Sequence, residues 1–208
     1  MKNINDWIKY IRKPRDELCP FASSSSLSIV DTDGSDVNPP TEDFDIIIHR
    51  FPEHYTIKKL NDLAKEVSTW SKDPSRQIGG MPVGAIAVSE KGQVLSQGYN
   101  GFPRNIKDTF ERPHDKEQKY KYVVHAEMNV IYNATYTGVS LDGATLYVVG
   151  LPVCSECAKG IIQTGIKHII MSIEEDYKVT DRWMQSFEIT KEMFDEAGIT
   201  WEFTWIKN

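Results

Sequence analysis

Apolar residues recur along this chain with two alternating periods, and those periods predict its elements. Thr56 stands as an N-cap. Ile57, Leu60, Ala64 and Val67 follow at helical spacing and Trp70 continues the stripe, so the first core helix is expected to run to about Ser71. Asp73-Pro74 stops it. The period then drops to two: residues 83–89 and 93–97 read as short strands joined by Glu90-Lys91-Gly92, a hairpin loop with glycine where φ is positive. Gly98-Tyr99-Asn100-Gly101 reads as a tight loop, and residues 104–122 as a charged connection of mixed sign. A helical run over 126–134 comes next. The apolar strand 144–149, ended by Gly150 and Pro152, leads into a helix over 155–164. A strand over 167–173 and a helix over 180–197, closed by Gly198, complete the pattern up to the last strand. There Ile199, Trp201, Phe203 and Trp205 alternate with Thr200, Glu202 and Thr204, giving one buried aromatic face. The fold class is α/β. The order of elements predicts a three-layer α/β/α domain with a mixed five-stranded sheet, its first two strands forming a hairpin and its later crossovers helical.

Residues 1–55 do not share this pattern. Trp7, Ile8 and Ile11 suit a short amphipathic helix ending at Pro14, and a serine run covers 23–26. Strand signals at 27–30 and 44–48 suit a hairpin across the polar, turn-rich stretch 31–40. The expected organisation is an N-terminal extension of unknown role over 1–55 and a catalytic domain over 56–208.

Composition narrows the partners. A net charge of −6 argues against a large nucleic-acid footprint, which needs clustered Lys and Arg. No secretory signal and no membrane-length apolar run stand out. Three cysteines offer no disulfide framework and fit a reducing, cytoplasmic setting. Cys19 reads as a small buried residue.

Candidate chemistry concentrates in two places. His125-Ala126-Glu127 opens one predicted helix, and Cys154-Ser155-Glu156-Cys157 opens another. Imidazole and thiolates suit zinc, and three protein ligands leave the fourth tetrahedral position for water. Helix N-termini favour thiolate over thiol. A Cys-x-x-Cys also serves as a redox pair or as half of a structural zinc knuckle. A structural site, however, wants four ligands and no second cysteine pair exists, while a redox pair needs no His-x-Glu. In the charged connection, Arg112 offers a bidentate fork and Lys121 a point charge for a phosphate, and His114 reads as an exposed loop histidine.

These motifs resemble those of the zinc-dependent cytidine and deoxycytidylate (dCMP) deaminase family. The likeness is carried by His125-Ala126-Glu127-Met128-Asn129, by Pro152 with Cys154 and Cys157, by Gly98 through Arg104, by Ser71 through Ser75, and by Cys157-Ala158-Lys159-Gly160. It covers about 56 to 205. Two departures stand out: Val153 separates Pro152 from Cys154, where the family usually has proline directly before the first cysteine, and Gly79-Gly80-Met81-Pro82 reads as a short insertion. Neither removes a ligand. The resemblance implies a hydrolase acting on a cyclic amidine C–N bond, taking dCMP to dUMP and ammonia. Another cytosine nucleotide or nucleoside (dCTP, modified dCMP, deoxycytidine) is the alternative substrate. It implies one Zn2+ per chain on His125, Cys154 and Cys157, Glu127 as general base then acid, and Asn100 as the residue holding the substrate sugar. It further implies a homo-oligomer, a hexamer in related enzymes, activated by dCTP and inhibited by dTTP. The effector region would comprise Ser71, Lys72, Asp73 and Asn100, with Mg2+ accompanying a nucleoside triphosphate.

Overall fold

Five strands meet in the order β2-β1-β3-β4-β5: β1 (Gly84–Val88), β2 (Val94–Tyr99), β3 (Thr145–Val149), β4 (His168–Glu174) and β5 (Thr200–Ile206). The computed structural model describes residues 57–72, 81–107, 109 and 111–206, which lie within one compact unit spanning Arg50–Asn208. Strand β1 runs antiparallel to both β2 and β3, whereas β3, β4 and β5 are parallel, so the sheet is mixed as expected. Every residue of β1 and β3 is buried, because both faces are covered.

Alternation along the strands sorts the core into two layers. Ala85, Ala87, Leu146, Val148, Ile169 and Met171 point into a core shared with α4 (Ala126–Thr137), α5 (Ser155–Gln163) and α6 (Asp181–Ala197). Ile86, Val88, Tyr147, Val149 and Ile170 point the other way, against Leu60, Ala64 and Val67 of α1 (Ile57–Ser68). Of the aromatic face expected on β5, Trp201 and Phe203 are half-buried and pack edge-on to Phe187 of α6, with ring centroids 5.6 and 5.1 Å apart, while the Trp205 side chain lies outside the described residues. Its polar face pairs with β4. His168 meets Thr200 through Nδ1 at 2.6 Å and Glu202 through Nε2 at 3.0 Å, and Ser172 hydrogen-bonds Thr204.

Several boundaries differ from the sequence expectation, each for a local reason. Helix α1 ends at Ser68, whose hydroxyl donates to the Lys65 carbonyl. Trp70 lies past that end, 46% exposed and edge-on to Tyr99, so it does not extend the buried stripe. Strand β2 continues through Gly98 and Tyr99, which the spacing assigned to a loop. Gly98 is required there because a Cβ would overlap the Ala126 carbonyl of α4. Helix α4 runs three residues beyond Ala134 to Thr137, closed by Gly138 at φ 73. The charged connection contains two short helices, α2 (Glu111–His114) and α3 (Lys116–Tyr122). The Asp115 carboxylate caps α3 by accepting from the Glu117 and Gln118 N–H groups. The expectations on 1–55, Thr56, Cys19, Asp73, Gly79 and Gly80 fall outside the described residues. Among the described residues no helix is long and apolar enough to cross a membrane.

The pairing Gly84↔Tyr99, Gly84↔Val149 and Val149↔Ser172 brings the C-terminal ends of β2, β3 and β4 to one end of the sheet. Clefts outside the carboxyl ends of strands are where open α/β sheets hold ligands. Both chemical motifs follow from this end.

Candidate active site

His125 is the N-cap of α4 and Cys154 the N-cap of α5, both with extended backbones at ψ 156 and 160. Neither side chain caps its own helix. They turn toward each other instead, so that Cys154 Sγ and Cys157 Sγ each lie 3.4 Å from His125 Nδ1. Three donor atoms thereby fall within 4.8 Å of one another, with both cysteines buried. Two sulfurs and one imidazole nitrogen, converging at helix N-termini, are the donor set that zinc prefers. Neither cysteine is in a disulfide.

The N-terminus of α4 is held from the sheet. Asn100 Oδ1 accepts the Ala126 N–H at 3.0 Å, taking the cap that His125 leaves open. Gly101 and Val124 exchange backbone hydrogen bonds of 3.1 and 2.8 Å, fastening the end of β2 to the residue before His125. Asn129 donates to the Tyr99 carbonyl at 2.7 Å from one turn inside α4. Ser71 donates its hydroxyl to the Asn100 carbonyl. Asn100 is therefore fixed through both its backbone and its side-chain oxygen, and its Nδ2 is the group left to donate elsewhere.

Charge and burial set the proton positions. Glu127 is 2% exposed, and burial pushes its carboxyl up to about 7, against the opposing pull of His125. His125 is raised to about 9, chiefly by its hydrogen bond to Cys154 and in spite of burial. Within the thiol pair, the Cys157 hydrogen bond draws Cys154 down, and the same bond with burial pushes Cys157 up. These interactions favour the proton on His125 and Cys157 over Cys154 and raise the Glu127 carboxyl toward neutrality.

The remaining sequence candidates are distributed less tightly. The Arg112 guanidinium lies 4.8 Å over the Tyr122 ring and donates to the Lys107 carbonyl at 2.9 Å. Lys121 is on the exposed side of α3, while the charge of Lys119, two residues earlier, reaches His125 and opposes its protonation. Lys119 was not singled out by sequence reasoning. The only signal available was the capping pattern Asp115…Gln118, which predicts α3 and hence which lysines share a face. His114 is exposed at the end of α2 and Lys72 is exposed, whereas Ser71 touches Asn100.

A sheet of this topology with a buried carboxylate beside a His/Cys/Cys cluster defines a zinc-dependent class of protein. The family model for the cytidine and deoxycytidylate deaminase zinc-binding region matches residues 56–173, and the chain belongs to that family. A protein named as an uncharacterised deaminase in the luxG 3′ region of Aliivibrio fischeri is 33% identical over 149 residues, covering 72% of this chain and 92% of its own. The deoxycytidylate deaminase of Homo sapiens is 39% identical over 139 residues, 62% of this chain and 68% of its own. Among solved structures, the apo dCMP deaminase of cyanophage S-TIM5 shares the fold with a TM-score of 0.52 at 24% identity, covering 71% of this chain and 95% of that one.

Proposed function

We propose that the protein hydrolyses the C4 amino group of dCMP, giving dUMP and ammonia. The observation that carries this reading is Glu127, a fully buried carboxyl raised to about 7, set two residues after His125 of the His/Cys/Cys cluster. His125 Nδ1, Cys154 Sγ and Cys157 Sγ would hold zinc, which when bound lowers the pKa of water enough to supply a nucleophile near neutrality. Glu127 removes the proton from the attacking water and passes it to N3 of the pyrimidine. It then protonates the departing amine, as general base and later acid. Its raised pKa suits both halves of that task. Asn100, with Oδ1 committed to Ala126, presents Nδ2 to the sugar.

The nucleotide's phosphate is the point at which dCMP differs from deoxycytidine. Arg112 and Lys121 are the proposed cations, joined by Lys119 because its charge reaches His125. Charge-assisted bonds contribute roughly 1.5–3 kcal/mol each, so one or two favour dCMP by about 10- to 10⁴-fold. Ammonia release from dCMP, modified dCMP, dCTP and deoxycytidine tests this. Comparable kcat/KM for dCMP and deoxycytidine overturns the nucleotide assignment, and alanine at Arg112, Lys119 or Lys121 is expected to act mainly through KM.

The same reading extends to regulation and setting. Activation by dCTP with Mg2+ and inhibition by dTTP are proposed to act at Ser71, Lys72, Asp73 and Asn100. Its support is the Ser71–Asn100 hydrogen bond, since Asn100 also caps α4. A hyperbolic rate curve insensitive to both triphosphates rejects this part. A homo-oligomer, with six chains by analogy, is proposed alongside, to be checked by sedimentation. Residues 56–208 are proposed as the catalytic domain and 1–55 as an extension without an assigned role. Cys154 and Cys157 form no disulfide, which favours a reducing, cytoplasmic location.

A further inference from the structure

Cys154 stands at the N-cap of α5 without capping it, so the first N–H of that helix needs an acceptor from elsewhere. The acceptor comes from α6. Ser186 Oγ takes the Ser155 N–H at 2.9 Å and lies 3.1 Å from the Ser155 hydroxyl. Two more α6 side chains hold the peptide groups just before Cys154. The Trp183 indole N–H donates to the buried Pro152 carbonyl at 2.7 Å. The Thr190 hydroxyl is 3.0 Å from the Val153 carbonyl and 3.2 Å from the Ser186 carbonyl of its own helix, so its single proton has the shorter path to the loop. Residues 183, 186 and 190 share one face of α6. Peptide groups on both sides of Cys154 are thus fastened to one helix, and the Trp183 ring stands 5.8 Å from that of His125.

We propose that Ser186, Thr190 and Trp183 are positioning residues for the Cys154 thiolate. Helix α6 supplies the cap that Cys154 gives up by turning its sulfur to His125, and it holds the loop in ligand geometry whether or not zinc is present. The inference rests on the reading of His125, Cys154 and Cys157 as the zinc site. A loop already fixed by α6 loses no further freedom when it binds the ion, so loosening it should appear as faster zinc loss. Partners behind metal ligands typically account for about 10- to 100-fold in affinity.

The test compares Ser186→Ala and Thr190→Val with the full-length zinc-loaded protein. Zinc transfer to a chromogenic chelator is expected to quicken by about 10- to 100-fold. The d–d and thiolate charge-transfer bands of the Co2+-substituted protein are expected to shift, and Thr190→Ser is expected to restore both readouts. Phe194→Leu serves as the control, because Phe194 is a buried α6 residue that makes none of these bonds. It should lower the melting temperature yet keep the original release rate and Co2+ spectrum. If Thr190→Val does not fold, Ser186→Ala carries the test alone. Unchanged release and an unshifted Co2+ spectrum in the folded variants overturn the proposal. A purified wild-type chain without zinc, checked first by metal analysis, overturns the site reading and this inference with it.

Discussion

Glu127 joins two demands in one side chain, burial deep enough to raise its carboxyl to about 7 and placement beside the proposed ligands. Replacing it with glutamine keeps the shape and removes the proton carrier. Glu127→Gln is expected to bind zinc and melt like the parent while turnover falls by at least about 10²- to 10⁴-fold, the usual range for general acid–base assistance. Near-normal ammonia release from the zinc-loaded variant would refute the role. The other residue-scale consequence concerns protons on the ligands. His125 keeps its proton to about pH 9 in the metal-free chain, and Cys157 holds its own beyond the usual thiol range. Zinc must displace both, so loading below pH 9 releases about two protons and apparent affinity climbs by about two decades per pH unit between pH 6 and 8. Calorimetry in buffers of different ionisation enthalpy counts those protons, and a pH-independent affinity contradicts the assignment. These groups were legible in the sequence because their spacing is local: His-x-Glu and Cys-x-x-Cys each lie within one helical turn. Lys119 was not, since its relation to His125 depends on how α3 is set against α4.

Between elements, the site depends on bonds that sequence periodicity does not encode. Asn100 caps α4 across 26 positions and Ser186 caps α5 across 31. The strands and long helices were readable from alternation and from Gly198, whereas α2 and α3 are too short to show a period. Asp115 with Gln118 was the signal for α3 that a count of charges obscures. Two substitutions separate the roles of Asn100. Asn100→Asp keeps an acceptor for the Ala126 N–H and removes the Nδ2 donor, so it is expected to retain zinc and stability while raising KM. Asn100→Ala loses the cap as well, at a cost of about 0.5–2 kcal/mol. Equal melting temperatures for the two variants, by calorimetry, would show that the cap contributes nothing. Gly98→Ala tests the closest approach of β2 to α4. The added Cβ meets backbone, which cannot rotate away, so overpacking of about 1–3 kcal/mol is expected. For a chain of this size that is roughly 2–4 °C of melting temperature per kcal/mol.

Across the described residues two apolar layers flank the sheet, and although Cys154 and Cys157 belong to one of them, most of its buried members come from the strands and helices around them. Chelating the zinc is therefore expected to leave far-UV circular dichroism nearly unchanged and to lower the melting temperature, with recovery on adding Zn2+. Collapse of the secondary structure on chelation would instead make the site structural. The α/β class and the hairpin were legible from the order of periods, but the strand order β2-β1-β3-β4-β5 was not, because periodicity says which face is buried and not which strand is next door. That order makes β2 an edge. The Asn100 N–H donates to the Val83 carbonyl, so Gly98 and Asn100 face β1 while Gln97 and Tyr99 turn their backbone outward. Asn133 donates to the Gln97 carbonyl at 2.6 Å and Asn129 to the Tyr99 carbonyl at 2.7 Å, two side chains one turn apart on α4 occupying the two acceptors an incoming strand would seek. Strand addition is thereby disfavoured along the C-terminal half of β2. An incoming strand therefore finds its acceptors taken where the loop bearing Asn100 begins, and β5, at the opposite end of the order, is the other border of the sheet.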